Sequence, residues 1–158
     1  MTNEALNEQT LDVTHRAVTA NDVDAFYEHR LDCEANRMAA FPARDHSSFV
    51  AHWHATLANQ EVEAKAILAT GKITGNSVGF PRDGRREVEY WIGAVFWGRG
   101  IATRALEEFL KVESIRPLYA SVAEHNAGSR RVLEECGFEL VDQEPWEDAT
   151  GEPVVGLI

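Results

Sequence analysis

Cysteine, positive charge and long apolar runs are all scarce in this sequence. Two cysteines, Cys33 and Cys136, are too few for a disulfide-stapled fold and are typical of a reducing compartment. No apolar run is long enough for a signal-peptide core or a membrane span, so we expect a cytoplasmic protein without a membrane partner. Fifteen basic residues against 26 acidic ones give a formal net charge of -11, which argues against nucleic acid as a partner.

What is present is the composition of an ordinary globular protein, 44% hydrophobic and 26% charged. A chain of this length can bury one substantial core, and no internal repeat, low-complexity tract or linker divides it. We therefore expect residues 1–158 to form a single domain, in which the polar, pattern-free residues 1–10 are a flexible N-terminal tail.

Hydrophobic periodicity predicts both helices and strands in the first half. In chain order, it predicts an edge strand over 11–18, a helix to about residue 31, an irregular segment over 32–44 that Pro42 ends, and a helix after residue 45. From residue 61 the period changes to two, which indicates a half-buried strand with Ala66 on its apolar face and Ile67 on its polar face. Turns over 70–72 and 81–84 make this strand the first of a three-strand antiparallel meander.

The last strand of the meander leads directly into a glycine loop and a helix. Residues 87–103 read EVEYWIGAVFWGRGIAT. A glycine-relaxed loop that enters a helix presents unpaired backbone N–H groups and the positive end of the helix dipole, which suits a phosphate group. A nucleotide-binding protein that uses this loop stays an alternative, although the sequence lacks a phosphate-binding lysine motif and a full G-x-G-x-x-G.

The second half continues as a crossover from one strand to the next. Ile101 and Phe109 mark a helix that ends before Pro117, and because it separates the strand over 117–122 from its predecessor, we expect these two strands to be parallel. The remaining predictions are a helix over 126–136 that stops at Gly137, and strands over 138–141 and 153–158.

Three segments carry the functional signal: YWIG at 90–93, WGRGIAT at 97–103 and NAGSRRVLEECGF at 126–138. In this order and spacing they resemble the GNAT superfamily of acyl-CoA-dependent N-acetyltransferases, and within it the branch of ribosomal-protein N-terminal acetyltransferases. The resemblance implies an α/β fold whose mixed central sheet splits between two parallel strands and carries helices on both faces. Two positions depart from the family pattern, because Trp97 replaces the usual glutamine or arginine and Leu133 replaces a tyrosine that many members use as an acid.

The resemblance implies acetyl-CoA as the co-substrate. Its pantetheine arm is expected in the split, near the backbone of Ile92 and Ala94, with Asn126 and Ser129 beside it. The residues expected around its pyrophosphate are Trp97, Gly98, Arg99, Gly100, Ile101, Ala102 and Thr103. Small side chains in this loop let the backbone approach the phosphates. A metal is not expected, because His52 and His54 on one helix would point about 200° apart.

Acetyl transfer to an amine needs a base for the ammonium and an acid for the departing thiolate. Glu87 and Glu89 are the candidate bases, since their face of the strand adjoins the split. The alternative interpretation is that they are two acidic residues on a solvated strand face without a catalytic role. Position 133 is leucine, and the resemblance implies Ser129 as the candidate acid, because it occupies the serine position of the asparagine motif that some relatives use. A helix-capping role is its alternative. Residues 32–41 resemble the family's helix pair that covers the acceptor site, which implies Asn36 and Arg37 as residues that line it.

The sequence therefore predicts an N-acetyltransferase that moves the acetyl group of acetyl-CoA to a primary amine by direct attack in a ternary complex. The missing tyrosine keeps a non-catalytic acyl-CoA-binding regulatory module as the alternative. Both small molecules and peptides fit as amine acceptors. The resemblance is also compatible with a homodimer.

Overall fold

The computed structural model of the chain describes residues 12–39, 45–147 and 153–157. Within these ranges the strands are β1 Val13–Ala17, β2 Glu63–Ala69, β3 Lys72–Arg82, β4 Arg85–Ile92, β5 Leu118–Tyr119, β6 Val122–Ala123, β7 Gln143–Glu147 and β8 Pro153–Leu157. The α-helices are α1 Val23–His29, α2 Cys33–Ala39, α3 His46–Ala58, α4 Ile101–Val112 and α5 Ala127–Glu135. The predicted tail over 1–10 and the predicted stop at Pro42 lie outside the described residues.

The central sheet is mixed and splits between two parallel strands, as the resemblance implied. Its strand order is β1-β2-β3-β4-β5, in which the pairs β1–β2, β2–β3 and β3–β4 are antiparallel and β1 is at an edge. The parallel strands β4 and β5 pair at Arg86–Leu118 and Glu87–Tyr119, and β6 belongs to a second sheet with β8 and β7. Beyond Glu87, β4 continues to Ile92 beside a gap, and this gap is the split.

Helices cover both faces of the central sheet. On one face, α1 and α3 bury Phe26, Phe49 and Trp53 against β2 and β3. On the other face, α4 buries Phe109. The prediction that Ile67 lies on a polar face is wrong, because α4 covers that face and the side chain is fully buried. Each large apolar side chain buried in this way contributes about 1.5–3 kcal/mol of hydrophobic stabilisation.

Residues 33–39 form the helix α2, where the sequence predicted an irregular segment. The carboxylate of Asp32 accepts a hydrogen bond at 2.8 Å from the backbone N–H of Ala35, one of the groups that a helix start leaves unpaired. The side-chain amide of Asn36 donates to the carbonyls of Arg30 and Asp32, at 2.6 and 3.0 Å. These local bonds fix a helix that is too short for periodicity to reveal.

The hairpin between β3 and β4 turns later than predicted. Pro81 and Arg82 belong to β3, and the turn is made by Asp83 and Gly84, with φ values of 49° and 77°. Two consecutive positive φ values give the two-residue hairpin turn whose twist matches that of the flanking strands. Arg82 therefore lies on the strand, where its side chain reaches Glu87.

The chain after α5 completes the helix cap before it forms a strand. Gly137 has a φ of 91°, its N–H donates to the carbonyl of Glu134, and the N–H of Phe138 donates to the carbonyl of Leu133 at 2.9 Å. This pair of bonds is a Schellman motif, and Phe138 packs into the core against α5. The strand predicted over 138–141 therefore begins only at residue 143, as β7.

Candidate functional site

A cavity of about 570 Å³ occupies the split and connects the α4 face of the sheet with the α1 face. On the α4 face it is lined by the glycine loop and by the first turns of α4 and α5. On the α1 face it is lined by α2 and by Arg30 and Arg82, while Glu87 lies where β4 still pairs with β5. A cavity of this volume is typical of a small-molecule or cofactor site.

The glycine loop enters α4 as predicted. Gly98 and Gly100 have positive φ values of 78° and 74°, and α4 begins directly after Gly100. The N–H groups of Ile101, Ala102 and Thr103 belong to the first helical turn, where the helix itself offers no carbonyl, and these residues line the cavity. Together with the helix dipole they form an anion-binding corner.

Some of the other predicted cofactor residues line the cavity and others do not. Ile92, Trp97 and Gly98 line it, whereas Ala94 begins a 3₁₀ turn and Arg99 is exposed on the loop, and neither is part of its wall. The indole N–H of Trp97 donates to the backbone carbonyl of Ile92 at 2.9 Å. This bond ties the loop to the end of β4, which gives an aromatic residue a structural role at this position.

Asn126 and Ser129 meet at the start of α5, and both line the cavity. The side-chain oxygen of Asn126 caps the helix by accepting a hydrogen bond from the N–H of Ser129 at 3.2 Å. The hydroxyl of Ser129 lies 2.7 Å from the phenol oxygen of Tyr90 on β4. A hydrogen-bonded pair therefore connects β4 to α5 across the split.

Tyr90 is a site residue that the sequence interpretation did not single out. Its side chain packs on the α4 face, beside Val88, and its phenol reaches Ser129. Burial raises the pKa of Tyr90 to about 12, and the hydrogen bond with Ser129 offsets only part of that rise. The phenol is therefore protonated at neutral pH. The period of two in β4 was the available signal, since it directs Tyr90 away from Glu87 and Glu89.

Glu87 is buried at the point where the two parallel strands separate, with 2% of its surface exposed. Its Oε1 accepts a hydrogen bond from the Ser121 hydroxyl at 2.8 Å. Its Oε2 has no hydrogen-bond donor within the described part of the chain, although Nε of Arg82 lies 3.6 Å away. A buried oxygen left in this state is costly, so the cavity at Oε2 is suited to a ligand that donates a hydrogen bond.

Glu89 has a more open position on the same strand face. Its side chain is 45% exposed, and its Oε1 lies 4.0 Å from Nη2 of Arg30. The guanidinium of Arg30 stacks on Trp91, 3.7 Å from the ring centroid, and the Trp91 indole N–H donates to the carbonyl of His29. The strand face with Glu87 and Glu89 therefore lines the cavity, with Glu87 buried and Glu89 open to solvent.

The helix α2 covers the α1 face of the cavity through Ala35 and Met38. Asn36 and Arg37, the residues that the resemblance suggested for this role, are not in the wall. The ring Nε2 of His125, in the loop between β6 and α5, donates to the backbone carbonyl of Arg37 at 2.8 Å. This bond ties α2 to the opposite rim of the split.

In the part of the chain that the structure describes, no group of three histidine, cysteine or acidic side chains is placed to hold a metal ion. Cys136 is not activated as a nucleophile, because burial raises the pKa of its thiol, which contacts the Thr103 carbonyl. Among the described helices, none has the length and apolar character needed to span a membrane.

The comparisons with known proteins agree with this geometry. A sequence model described as "Acetyltransferase (GNAT) domain" matches residues 12–139. No curated protein sequence matches the chain at a significant level. Among solved structures, the chain is similar to the Microcin C7 self immunity acetyltransferase MccE in complex with acetyl-CoA and AMP, with a TM-score of 0.75, 18% identity, and coverage of 92% of this chain and 89% of that one.

Two further solved structures share the fold. The aminoglycoside acetyltransferase AAC(6')-Ib in complex with coenzyme A has a TM-score of 0.72 and 19% identity, and the match covers 92% of this chain and 93% of that one. RimL, a ribosomal L7/L12 alpha-N-protein acetyltransferase in complex with coenzyme A, has a TM-score of 0.73 and 13% identity, and the match covers 92% of each chain. The latter belongs to the branch that the sequence motifs resemble.

The family model confirms the family resemblance and, with it, acetyl-CoA as the co-substrate, and the solved structures confirm the predicted fold. The roles of the individual residues, the single domain over 1–158, the homodimer and the cytoplasmic location stay predictions.

Proposed function

This chain belongs to the family of GNAT acetyltransferases, which are acetyl-CoA-dependent N-acetyltransferases, and on that premise we propose that it acetylates a primary amine by direct attack in a ternary complex. The observation that carries the proposal is the cavity through the split. It joins a helix N-terminus suited to a phosphate with a buried carboxylate whose Oε2 has no hydrogen-bond donor among the described residues. Both substrates have room to meet in it, so no covalent enzyme intermediate is needed.

The first turn of α4 is the proposed binding site of the pyrophosphate. The N–H groups of Ile101, Ala102 and Thr103 supply hydrogen bonds, and exposed Arg99 supplies positive charge beside them. A Cβ added at Gly98 or Gly100 would meet no protein atom within 4 Å, so these positions leave space for a ligand. The backbone of Ile92 and Ala94 and the side chain of Asn126 are the proposed contacts of the pantetheine arm.

Glu87 is the proposed base. An amine is an ammonium at neutral pH and must lose a proton before it attacks the thioester. Oε2 of Glu87 can accept that proton directly or through one water, and the bond from Ser121 to Oε1 fixes the carboxylate. Glu89, which is more exposed and lies near Arg30, is proposed to contact the acceptor.

Ser129 is the proposed acid, with Tyr90 behind it. The departing sulfur must receive a proton, and the Ser129 hydroxyl at the cavity wall can donate one. The Tyr90 phenol, 2.7 Å away and protonated at neutral pH, can replace the proton that Ser129 gives up. Tyr90 thus supplies from β4 the group that other members carry on the last helix at the position of Leu133.

Thiol release from acetyl-CoA, measured with a panel of primary amines, tests the proposal together with the substitution Glu87→Gln. Glutamine still accepts the Ser121 hydrogen bond but takes no proton, so we expect kcat to fall by about 10²–10⁴-fold, the usual contribution of a general base. The KM for acetyl-CoA should stay unchanged. An unchanged kcat would remove Glu87 from the mechanism, and binding of acetyl-CoA without turnover of any amine would overturn the proposed function.

Glu113→Gln is the matched control. Glu113 is buried, with 3% of its surface exposed, and its Oε2 accepts a hydrogen bond from Nη2 of Arg86 at 2.7 Å, outside the cavity wall. The same chemical change there should lower thermal stability, because it removes the charge that balances a buried arginine. The folded enzyme should keep its kcat. A loss of turnover in both Glu87→Gln and Glu113→Gln would mean that replacing any buried glutamate by glutamine impairs the enzyme, and would not support Glu87 as the base.

A further inference from the structure

Two arginines and two glutamates line the α1 face of the cavity, and each glutamate lies near an arginine. Oε2 of Glu87 lies 3.6 Å from Nε of Arg82, and Oε1 of Glu89 lies 4.0 Å from Nη2 of Arg30. The four formal charges cancel, although the whole chain carries a net charge of -11. This face of the cavity is therefore balanced in charge while the rest of the protein is acidic.

The two arginines are held in place by different parts of the fold. Arg30 follows α1 and stacks on Trp91, whose indole N–H is bonded to the carbonyl of His29, and only 24% of its side chain is exposed. Arg82 lies at the end of β3 with 52% of its side chain exposed, at the rim of the cavity. Their planar guanidinium groups match the geometry of a carboxylate, phosphonate or phosphinate.

We propose that the acceptor is a small zwitterionic amine, in which an ammonium and an oxyanion lie close together on one molecule. This inference rests on the proposed function, because it names the substrate class of the same site. The ammonium binds Oε2 of Glu87, the buried oxygen without a donor among the described residues. The oxyanion binds Arg82 and Arg30, because an ammonium at Glu87 neutralises the carboxylate that balances Arg82.

The same arrangement disfavours two other classes of amine. A polyamine would bring a second ammonium toward Arg82 and Arg30, and like charges at short range repel. A peptide N-terminus carries a neutral amide at the place where Arg82 lacks a balancing anion once the ammonium has neutralised Glu87. The hydrogen bond between His125 and Arg37 also joins the two rims of the split, which restricts the room for a long chain.

The transfer itself balances without a further reactant. The acceptor nitrogen forms a bond to the acetyl carbon, and the bond from that carbon to the CoA sulfur breaks. The ammonium loses one proton to Glu87 before the attack, and the bonded nitrogen loses a second one, relayed by water, to the Ser129–Tyr90 pair, which has given one proton to the sulfur. The amide nitrogen keeps its third hydrogen, and Glu87 then releases its proton to solvent.

Matched pairs of acceptors test the proposal in the thiol-release assay. Alanine and alaninamide carry the same amine on the same carbon, but only alanine carries the anion. We expect kcat/KM to be at least about tenfold higher for alanine, the usual worth of a charge-assisted hydrogen bond, although the amine of alaninamide loses its proton more readily. 1-Aminoethylphosphonate carries a phosphonate in place of the carboxylate of alanine, so it shows which of these two anions the site prefers. A higher kcat/KM for either compound than for alaninamide supports the proposal. Higher kcat/KM for spermidine, a short peptide or alaninamide would overturn it.

Arginine variants show whether the preference comes from these residues. Arg82→Gln and Arg30→Gln should each raise the KM for the preferred zwitterion by about tenfold to a hundredfold more than the KM for alaninamide, and Arg82→Lys should restore part of the loss. Arg85→Gln is the control, because Arg85 pairs with Arg82 in the hairpin but does not line the cavity. Equal effects on both acceptors would overturn the inference alone, whereas absence of thiol release with every amine would overturn the proposed function.

Discussion

The phenol oxygen of Tyr90 lies 2.7 Å from the hydroxyl oxygen of Ser129, although 39 positions separate the two residues in the sequence. Tyr90 comes from β4 on one side of the split, and Ser129 comes from the first turn of α5 on the other. Leu133, where many family members have their tyrosine, lies about one helical turn further along α5 and is buried. A phenol is therefore present in the cavity wall, but a different element supplies it.

We predict that Tyr90→Phe lowers kcat by at least about tenfold, because Ser129 loses its proton source, and leaves the KM for acetyl-CoA nearly unchanged. Ser129→Ala should cost as much or more. The double variant should be no slower than Ser129→Ala alone, since residues that act as a unit are not additive. Steady-state kinetics on the three variants checks this prediction.

Tyr119→Phe is the control for the loss of a phenol oxygen. Tyr119 is half-buried on β5 and does not line the cavity, so the Tyr119→Phe variant should have the same kcat as the unmodified protein. If Tyr90→Phe retains full turnover while Ser129→Ala does not, Ser129 does not depend on Tyr90 as its proton source.

The second prediction concerns Gly100, the residue before α4, whose φ is 74°. An alanine in this left-handed conformation costs about 1–2 kcal/mol, and its Cβ meets no protein atom within 4 Å, so the cost is one of backbone conformation. Because the added Cβ enters the proposed phosphate site, we expect Gly100→Ala to raise the KM for acetyl-CoA as well. Chemical denaturation and steady-state kinetics measure the two effects separately.

Gly84→Ala separates strain from ligand contact. Gly84 has a φ of 77° in the β3–β4 turn, and its Cβ would also meet no atom within 4 Å. The Gly84→Ala variant should lose about as much free energy of unfolding as the Gly100→Ala variant, without any change in the KM for acetyl-CoA. A comparable KM change in both variants would mean that the effect at Gly100 comes from instability.

The cofactor side of the site was predictable because its features are local in the sequence. A glycine with positive φ, a helix start and a capping asparagine each involve residues within a few positions of one another. Gly98, Gly100 and Asn126 therefore indicate the loop and the two helix N-termini directly, and the order of these elements implies the parallel strands. The structure contains the same loop, caps and split.

The acceptor side was less predictable because its contacts join distant elements. Strand alternation indicates Glu87, but its partner Arg82 lies on β3 and its partner Ser121 lies between β5 and β6. Nothing in their local sequence indicates that they meet. The sequence predicts Arg82 in a turn with Pro81, whereas the structure has it at the end of β3. The helix α2 is fixed by the Asp32 cap and by the hydrogen bonds of Asn36, and its place over the cavity depends on the contact between Arg37 and the distant His125.

The third prediction concerns the bond from the Trp97 indole to the carbonyl of Ile92. Trp97→Phe keeps an aromatic side chain and removes the donor. A typical hydrogen bond contributes about 0.5–1.5 kcal/mol, so we expect the KM for acetyl-CoA to rise by about twofold to tenfold as the loop loses its tie to β4. The kcat should not change, because neither residue is proposed to move a proton. An unaltered KM would show that the glycine loop keeps its position without this bond.

The last prediction concerns acid stability and rests on Asp22, a buried carboxylate far from the cavity wall. Asp22 accepts hydrogen bonds from the Arg16 guanidinium at 2.6 and 2.8 Å and from the backbone N–H of Thr19 at 2.8 Å. The bonds from Arg16 are the largest cause that holds the pKa of Asp22 below its ordinary value of 3.8. In that pH range the unfolded chain binds more protons than the folded protein, so the free energy of unfolding rises with pH. The stabilisation is therefore complete above about pH 4 and is lost as the pH falls through the lowered pKa.

Asp22→Asn should remove this pH-dependent stabilisation, because an amide neither titrates nor forms an ion pair with the Arg16 guanidinium. Arg16 is 41% exposed and solvent screens the pair, so we expect a loss of about 1 kcal/mol at pH 7 that shrinks as the pH falls below the ordinary pKa of 3.8. Urea denaturation at several pH values between 7 and 2 measures the difference. Asp24→Asn is the control, because the Asp24 side chain is 82% exposed two residues further along, and it should change stability little at either pH. A constant loss for Asp22→Asn at all pH values would mean that the residue stabilises the fold by its shape and not by its charge.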